Sequence, residues 1–347
     1  MKRRVGSGKN EAAALRWFAL AVVLISAPSS AWAQATNNDS ADDAQSFRNE
    51  VLYGMPDREA PFPESSLLAT APGAEQQARV PVFSFRILAP LGYNSNAEAA
   101  NSGGTRTAEG SPEVRLGFAS QIPTLPLRIS ASVAVEWDRF VSSDSADFDK
   151  LRPRLDLQYV DPEDDQAFSP FLGFSPRLDF TPDFDERFST RYDLNLGFNK
   201  AFHFQEGFER VPASGNSASA TVWSFGTTIL AQRRFREPSP SSTALYVIPS
   251  FAYSISEDWS AVLAVELIQR WFDRTDDFSR EDTTLFPIAA LEFDVPDRWL
   301  GGPELARWLG HPALEFFGGY EYEWSNVSNG DFEQWTGGFA LRAGWRF

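Results

Sequence analysis

The chain has 347 residues, no cysteine and a formal net charge of −16. So acidic a chain is a poor ligand for nucleic acid, and without cysteine it draws no stability from disulfides. Two histidines leave little to hold a transition metal, so no metal and no cofactor is expected, while aromatic residues at 14%, with 30 Phe and 11 Trp, call for an explanation.

Lys2, Arg3, Arg4 and Lys9 open the chain, and an apolar run follows from Trp17 to Ile25. After it comes "SAPSSAWAQ", with Ala31 and Ala33 spaced as in a small-residue cleavage site. The pattern predicts a secretory signal peptide over residues 1–33, its apolar run too short to span a membrane. Residues 34–78 are polar, acidic and proline-containing with no sustained period, which predicts a largely disordered N-terminal extension. The alternative is a plug inside a pore, for which only "VLYGM" and "SLLA" offer apolar grip. Beyond residue 33 there is no run of about 18 apolar residues, so any membrane span must be made of strands.

From residue 79 to 347 the texture is alternating. "VPVFSFRILAPLGY" puts Phe83, Phe85, Ile87, Ala89, Leu91 and Tyr93 on one face. "LPLRISASVAVEWDRF" puts Leu125, Leu127, Ile129, Ala131, Val133, Val135 and Trp137 on one face, against Arg128, Ser130, Ser132, Ala134, Glu136 and Asp138. A period of two over a dozen residues is a strand signal. About twelve such segments occur, near 80–94, 112–121, 125–138, 149–160, 167–181, 186–203, 218–236, 243–256, 258–273, 284–295, 313–325 and 333–347. The weakest is 284–295, where "FPIAALEF" is apolar in both phases. These segments are longer than globular strands, which run about 5–6 residues. An all-β chain with a closed antiparallel transmembrane barrel of about twelve strands over 79–347 is the expected fold.

The aromatic residues fit that reading. Aliphatic side chains sit mid-segment and rings at the ends: Trp137 closes the third segment, Trp223 opens the seventh, and Trp259 and Trp271 bracket the ninth. With Tyr93, Trp324 and Trp335 they predict two girdles at the two bilayer interfaces. A soluble sandwich also alternates, but it has no reason to gather rings at strand tips. By the same logic Phe188 and Phe202, at the ends of the sixth segment, are placed on the lipid face, and Lys200 and Arg233 are expected to snorkel from it.

The chain ends in "WTGGFALRAGWRF", with Phe339, Leu341, Trp345 and Phe347 on one face. This terminal strand resembles the C-terminal signature of bacterial outer-membrane barrels. The resemblance covers the leader, the strand texture and the last strand. It implies a Gram-negative outer-membrane location, lipid and lipopolysaccharide as surroundings, and recognition of that strand by the barrel assembly machinery. By size the chain is similar to small substrate-preferring channels of the porin-like type, which implies passive transport of small polar or charged solutes.

The other phase then faces the lumen. Lys150, Arg152, Arg154, Arg177, Arg187 and Arg191 fall on the fourth to sixth segments, and Glu266, Glu292, Asp294, Glu315, Glu321 and Glu323 on the ninth to eleventh. In a twelve-strand barrel these form opposed basic and acidic walls, the arrangement by which a pore orients charged solutes. The alternative is that the charges pair across a narrow lumen and fill it, making a structural or adhesion barrel of the envelope.

An enzyme is not expected. Barrel-rim lipid hydrolases need a serine with a histidine base, and His203 and His311 lie in or next to turns. The Asp-rich loops "VSSDSADFDK", "TPDFDER" and "DRTDDFSRED" lack calcium-loop spacing. In "PDRWLGGPELARWLGHP", Pro303 opens a short helical stretch to Leu309 with Gly310 as the stop, and a capped turn lying on the interface is expected, the alternative being that Trp299, Leu305 and Trp308 pack it under the barrel mouth.

Overall fold

The computed structural model describes residues 81–95, 106–141, 147–161, 166–205, 222–238, 240–256, 258–273, 279–327 and 330–347. The expected leader over 1–33 and the extension over 34–78 lie outside the described residues. The strands are β1 (Val82–Asn94), β2 (Thr107–Gly110), β3 (Glu113–Gln121), β4 (Leu127–Phe140), β5 (Phe148–Tyr159), β6 (Ser169–Phe180), β7 (Arg187–Phe204), β8 (Trp223–Glu237), β9 (Ser242–Ser254), β10 (Trp259–Phe272), β11 (Glu281–Asp294), β12 (Ala313–Ser325) and β13 (Phe332–Arg346). Among the described residues an α-helix, α1 (Pro303–Trp308), lies between β11 and β12, and a single 3-10 turn, Pro182–Phe184, lies between β6 and β7.

The strands pair in chain order, and β13 pairs with β1 from Ser84↔Arg346 to Asn94↔Thr336, so the sheet closes on itself. β2 and β3 are two pieces of one stave, since both pair with β1 and with β4. The break falls at Ser111 and Pro112, where proline has no N–H to give. The result is a closed barrel of twelve antiparallel staves. β2 escaped the sequence reading because "TAEG" is too short and polar to show a period.

Closure explains the aromatic end of the chain. Phe347 N–H donates to Phe83 O at 2.8 Å, and Phe83 N–H returns to Phe347 O at 3.1 Å. The final residue is therefore a rung of the seam rather than a frayed tail.

Besides the break at Ser111 and Pro112, three ladders are interrupted, each at an outward-pointing proline. Between β5 and β6 pairing stops at Leu151↔Leu178 and resumes at Leu155↔Phe174, leaving Pro153 and Pro176 facing each other. Between β9 and β10 it skips from Leu267↔Val247 to Ala264↔Ser250 at Pro249, and between β11 and β12 from Leu285↔Tyr322 to Ile288↔Gly319 at Pro287.

The outward face is apolar. Leu91, Leu116, Val133, Leu155, Leu172, Leu194, Leu245, Leu263 and Leu341 are large exposed hydrophobic side chains distributed around the barrel. Rings cluster at both ends of the staves. At the end that carries the C-terminus, Trp223 stacks on Tyr253 at 3.9 Å, Trp259 meets Phe293 at 4.6 Å and Phe85 meets Trp345 at 5.3 Å. At the opposite end Trp335 meets Tyr320 at 4.5 Å, Trp324 meets Tyr322 at 4.3 Å and Trp137 packs edge-on against Phe184. Tyr93 and Trp271 are exposed near the same end, and Phe339 and Leu341 are exposed on β13.

The two cations on the outward phase are satisfied near stave ends. Lys200 Nζ donates to Gln166 O at 2.5 Å, and Arg233 makes a two-pronged contact with Asp273 and lies over the Phe235 ring.

Helix α1 ends as a Schellman turn: His311 N–H reaches Ala306 O at 2.8 Å, and Gly310 N–H reaches Arg307 O at 3.1 Å. Gly310 sits at φ 76°, a left-handed conformation, with the Trp345 ring where a Cβ would stand. The helix does not pack its tryptophans under the mouth. Ala306 is its buried residue, while Trp299, Leu305 and Trp308 face outward, Trp308 at 74% exposure. A helix this short has one contact face, and backbone bonds take it: Gly344 N–H to Gly310 O at 2.7 Å, beside Trp345 Nε1–H to Trp308 O at 3.0 Å.

Candidate functional site

The inward phase of the staves builds the lumen. Lys150, Arg152, Arg154, Arg177, Arg191, Glu266, Glu292, Asp294, Glu315, Glu321 and Glu323 all take that phase. Arg187 does not. The β6–β7 register shifts between Asp179 and Phe180, so Arg187 pairs with the outward-phase Phe180 and is exposed. A one-residue shift flips every side chain beyond it. The same shift turns Phe188 away from the lipid face expected for it, to pack with the buried inward rings Phe140 and Phe148.

The expected basic wall is not bare. Lys150 Nζ lies 3.0 Å from Glu136 and 2.6 Å from Asp138. Arg152 bridges Glu113 and Glu136, and Arg115 also meets Glu113, at 2.9 Å. Arg154 pairs with Asp156 at 2.7 Å, Arg177 with Asp179, and Arg191 with Asp193 at 2.9 Å. The carboxylates come from the same stave, from the neighbouring one or, for Glu113 and Arg152, from the stave beyond it. Glu136 and Asp138 sit on the polar phase of their segment, so the signal was in the sequence. What was missing was the register that puts Glu136 opposite Lys150.

A hydrogen-bonded chain continues this sector onto β8 and β9. Arg234 Nε donates to Asp193 at 3.0 Å, and its Nη2 to Gln232 Oε1 at 3.0 Å. Gln232 Nε2 donates to Asn195 at 3.0 Å, and Tyr246 O–H to Gln232 Oε1 at 3.0 Å. Asp193 and Asn195 are each 1% exposed. Burial of polar groups at this density is tolerable only when each finds a partner.

The acidic side is mixed. Arg280 meets Asp282 at 2.8 Å and Glu323 at 3.5 Å, and Thr284 donates to Glu323 at 3.0 Å. Gln334 donates to Glu321 at 2.6 Å. Arg342 bonds Glu292 and stands 3.9 Å from Asp294. Glu315 lies on the rung beside Glu292, carboxylate next to carboxylate.

Part of the lumen is apolar, which the sequence reading did not anticipate. Phe171, Leu230, Ala244, Tyr246 and Ile248 form a buried inward cluster with Ile268 packed against it. The Phe286 ring reaches over Gly319 on the next stave, with ring carbons 2.6 and 3.1 Å from where a Cβ would stand. Segment 284–295 reads as apolar in both phases because one phase meets the exterior and the other meets this patch.

His311 Nδ1 stands 3.9 Å from Asp297 at the rim, and His203 is near the end of β7. Among the described residues no group of three or more His, Cys, Asp or Glu is placed to hold a metal.

No protein-family model matches the chain, and no curated protein matches it. Among solved structures it is similar to the COG4313 outer membrane channel from Pseudomonas putida F1, at 14% identity over 80% of this chain and 98% of that one, with a TM-score of 0.43. It is also similar to the beta domain of the Bordetella autotransporter Brka, at 8% identity over 75% and 98%, TM-score 0.37. A third is the NanC porin, at 11% identity over 74% and 98%, TM-score 0.36.

Proposed function

We propose that this chain is an outer-membrane channel for passive diffusion of small polar or charged solutes. The observation that carries the reading is a closed barrel with an apolar, ring-bordered exterior and a charged interior. Only a closed barrel leaves no open edge in hydrocarbon. The leader read from residues 1–33 delivers the chain out of the cytoplasm, and the assembly machinery takes it by the β13 strand ending in Trp345 and Phe347. Lipid and lipopolysaccharide surround the apolar belt. Both ends of the closing seam then lie on the periplasmic side.

Transport involves no chemistry: wall groups replace part of a solute's hydration and release it. Selection by two opposed bare walls gives way to selection by one. The cations of β5 to β7 are held in ion pairs, whereas the inward carboxylates of β10 to β12 outnumber Arg280 and Arg342, which pair with some of them, so the acidic side dominates the lumen field and favours cations. Bilayer conductance under a salt gradient tests this. Discrete steps with a cation-selective reversal potential are expected; anion selectivity sinks the acidic-side assignment.

A second reading is a filled structural barrel. The burial of Asp193, Asn195, Gln232, Glu321 and Gln334 favours it, since a wet lumen leaves such groups more exposed. Silence from a well-folded protein in the same recording decides for it.

A further inference from the structure

Glu266 sits midway along β10 on the inward phase, opposite Phe286 of β11, with Ala264 and Ile268 as its inward neighbours on β10. On the β9 side the ladder skips its rung, and Ile248 belongs to the apolar cluster there. The residue is 7% exposed, and its carboxylate oxygens are not among the fully enclosed atoms that lack a partner, so the side chain is nine-tenths buried with its tip reaching the lumen. Among the described residues it has no hydrogen-bond donor and no ion-pair partner. The other deeply buried lumen carboxylates among the described residues are matched, for example Glu113 by Arg115, Asp138 by Lys150, Asp156 by Arg154, Asp179 by Arg177, Asp193 by Arg234 and Asp282 by Arg280. Glu266 is the exception, and an unmatched buried carboxylate is costly enough to demand a partner.

The surroundings say what kind. A hard metal ion wants about six oxygen ligands, and here the inward residues beside Glu266 on its own strand and across its two rungs are carbon: Ala264, Ile268, Ile248 and Phe286. We infer that Glu266 and the apolar patch beside it form a lumenal binding site for an organic cation, a protonated amine carried on an apolar or aromatic body. The ammonium meets Glu266. The body lies on Ile248 and Ile268, and Phe286 adds an aromatic face, which attracts cations. The rest of the lumen passes the amine's charge without matching its body. This inference deepens the channel reading and rests on it for the route by which the ligand arrives.

The probe is 2-phenylethylammonium, with 2-phenylethanol as its neutral counterpart. In single-channel recordings of protein purified from membranes, the amine should interrupt current in a concentration-dependent way and the alcohol should not. Glu266→Gln should raise the half-blocking concentration at least about tenfold, a loss of about 1.4 kcal/mol. Glu315→Gln, which removes another lumen carboxylate, should leave it within about twofold. Phe286→Leu keeps the carboxylate and should weaken the amine while sparing potassium current. Equal block of the parent and Glu266→Gln overturns the site, as does equal block by the alcohol. Thermal unfolding of the purified protein with each probe separates the two readings. A Glu266-dependent stabilisation by the amine in a barrel that conducts nothing keeps the site and removes the channel. Conduction with neither Glu266-dependent block nor stabilisation keeps the channel and removes the site.

Discussion

Asp193 is the sharpest place to ask whether the lumen is dry. Its carboxylate stands between two guanidinium groups, 2.9 Å from Arg191 Nε and 3.0 Å from Arg234 Nε, at 1% exposure. Asp193→Ala removes the anion and leaves both cations in place. In a dry interior, breaking such a pair costs about 3–5 kcal/mol. In a water-filled pore the same loss is screened and costs about 0–1 kcal/mol, as at a surface. Urea unfolding in lipid vesicles, followed by tryptophan emission, reads the difference as a shift in midpoint at constant slope. The geometry predicts the larger figure. Asp193→Ala combined with Arg234→Ala should cost less than the two singles added together, by at least about 1 kcal/mol. A single-variant loss under about 1 kcal/mol with additive singles would refute the claim that this sector is sealed, and would strengthen the wet-pore side of the functional proposal.

Other substitutions probe separate features. Gly319→Val places a branched side chain where the Phe286 ring lies; it should destabilise the barrel by about 1–3 kcal/mol in the same unfolding assay and lower single-channel conductance as the ring swings inward. Tyr246→Phe removes the hydroxyl that donates to Gln232, and should cost about 1 kcal/mol without altering ion preference. Phe347→Ala keeps both backbone bonds to Phe83, so refolded stability should change by less than about 1 kcal/mol, whereas the yield of folded barrel in cells, measured by heat-modifiable gel mobility, should fall several-fold if the assembly machinery reads this residue.

Much of the barrel was legible from alternation because an apolar outward face and an inward face of polar groups impose a strict period of two. That period located the third segment to within two residues of β4 at either end. It failed where the physics departs from that contrast. β11 looked weak because its inward residues Phe286, Ile288 and Ala290 line an apolar patch. Arg187 and Phe188 were assigned by extending the phase of β7 through a bulge that no residue type announces. The charge rows were visible, but their mutual neutralisation was not, since Lys150 and Glu136 lie 14 residues apart and meet only through register. Arg234 was overlooked for the same reason: its worth lies in Asp193, on the stave before it.

The prolines that interrupt three ladders carry a consequence for how the wall breathes. A carbonyl facing a proline finds no amide hydrogen, and hydrocarbon offers no replacement. At Pro153 and Pro176 two such deficits share one rung, so the β5–β6 boundary is the softest line in the wall. The amides flanking that rung should exchange with deuterium ahead of those along β7–β8, where pairing runs unbroken from Thr190↔Glu237 to Phe204↔Trp223. Pulled from its ends, the sheet should tear first along β5–β6. The wall is thus uneven in stiffness, weakest at the rung where two prolines meet and firmest along the unbroken β7–β8 ladder.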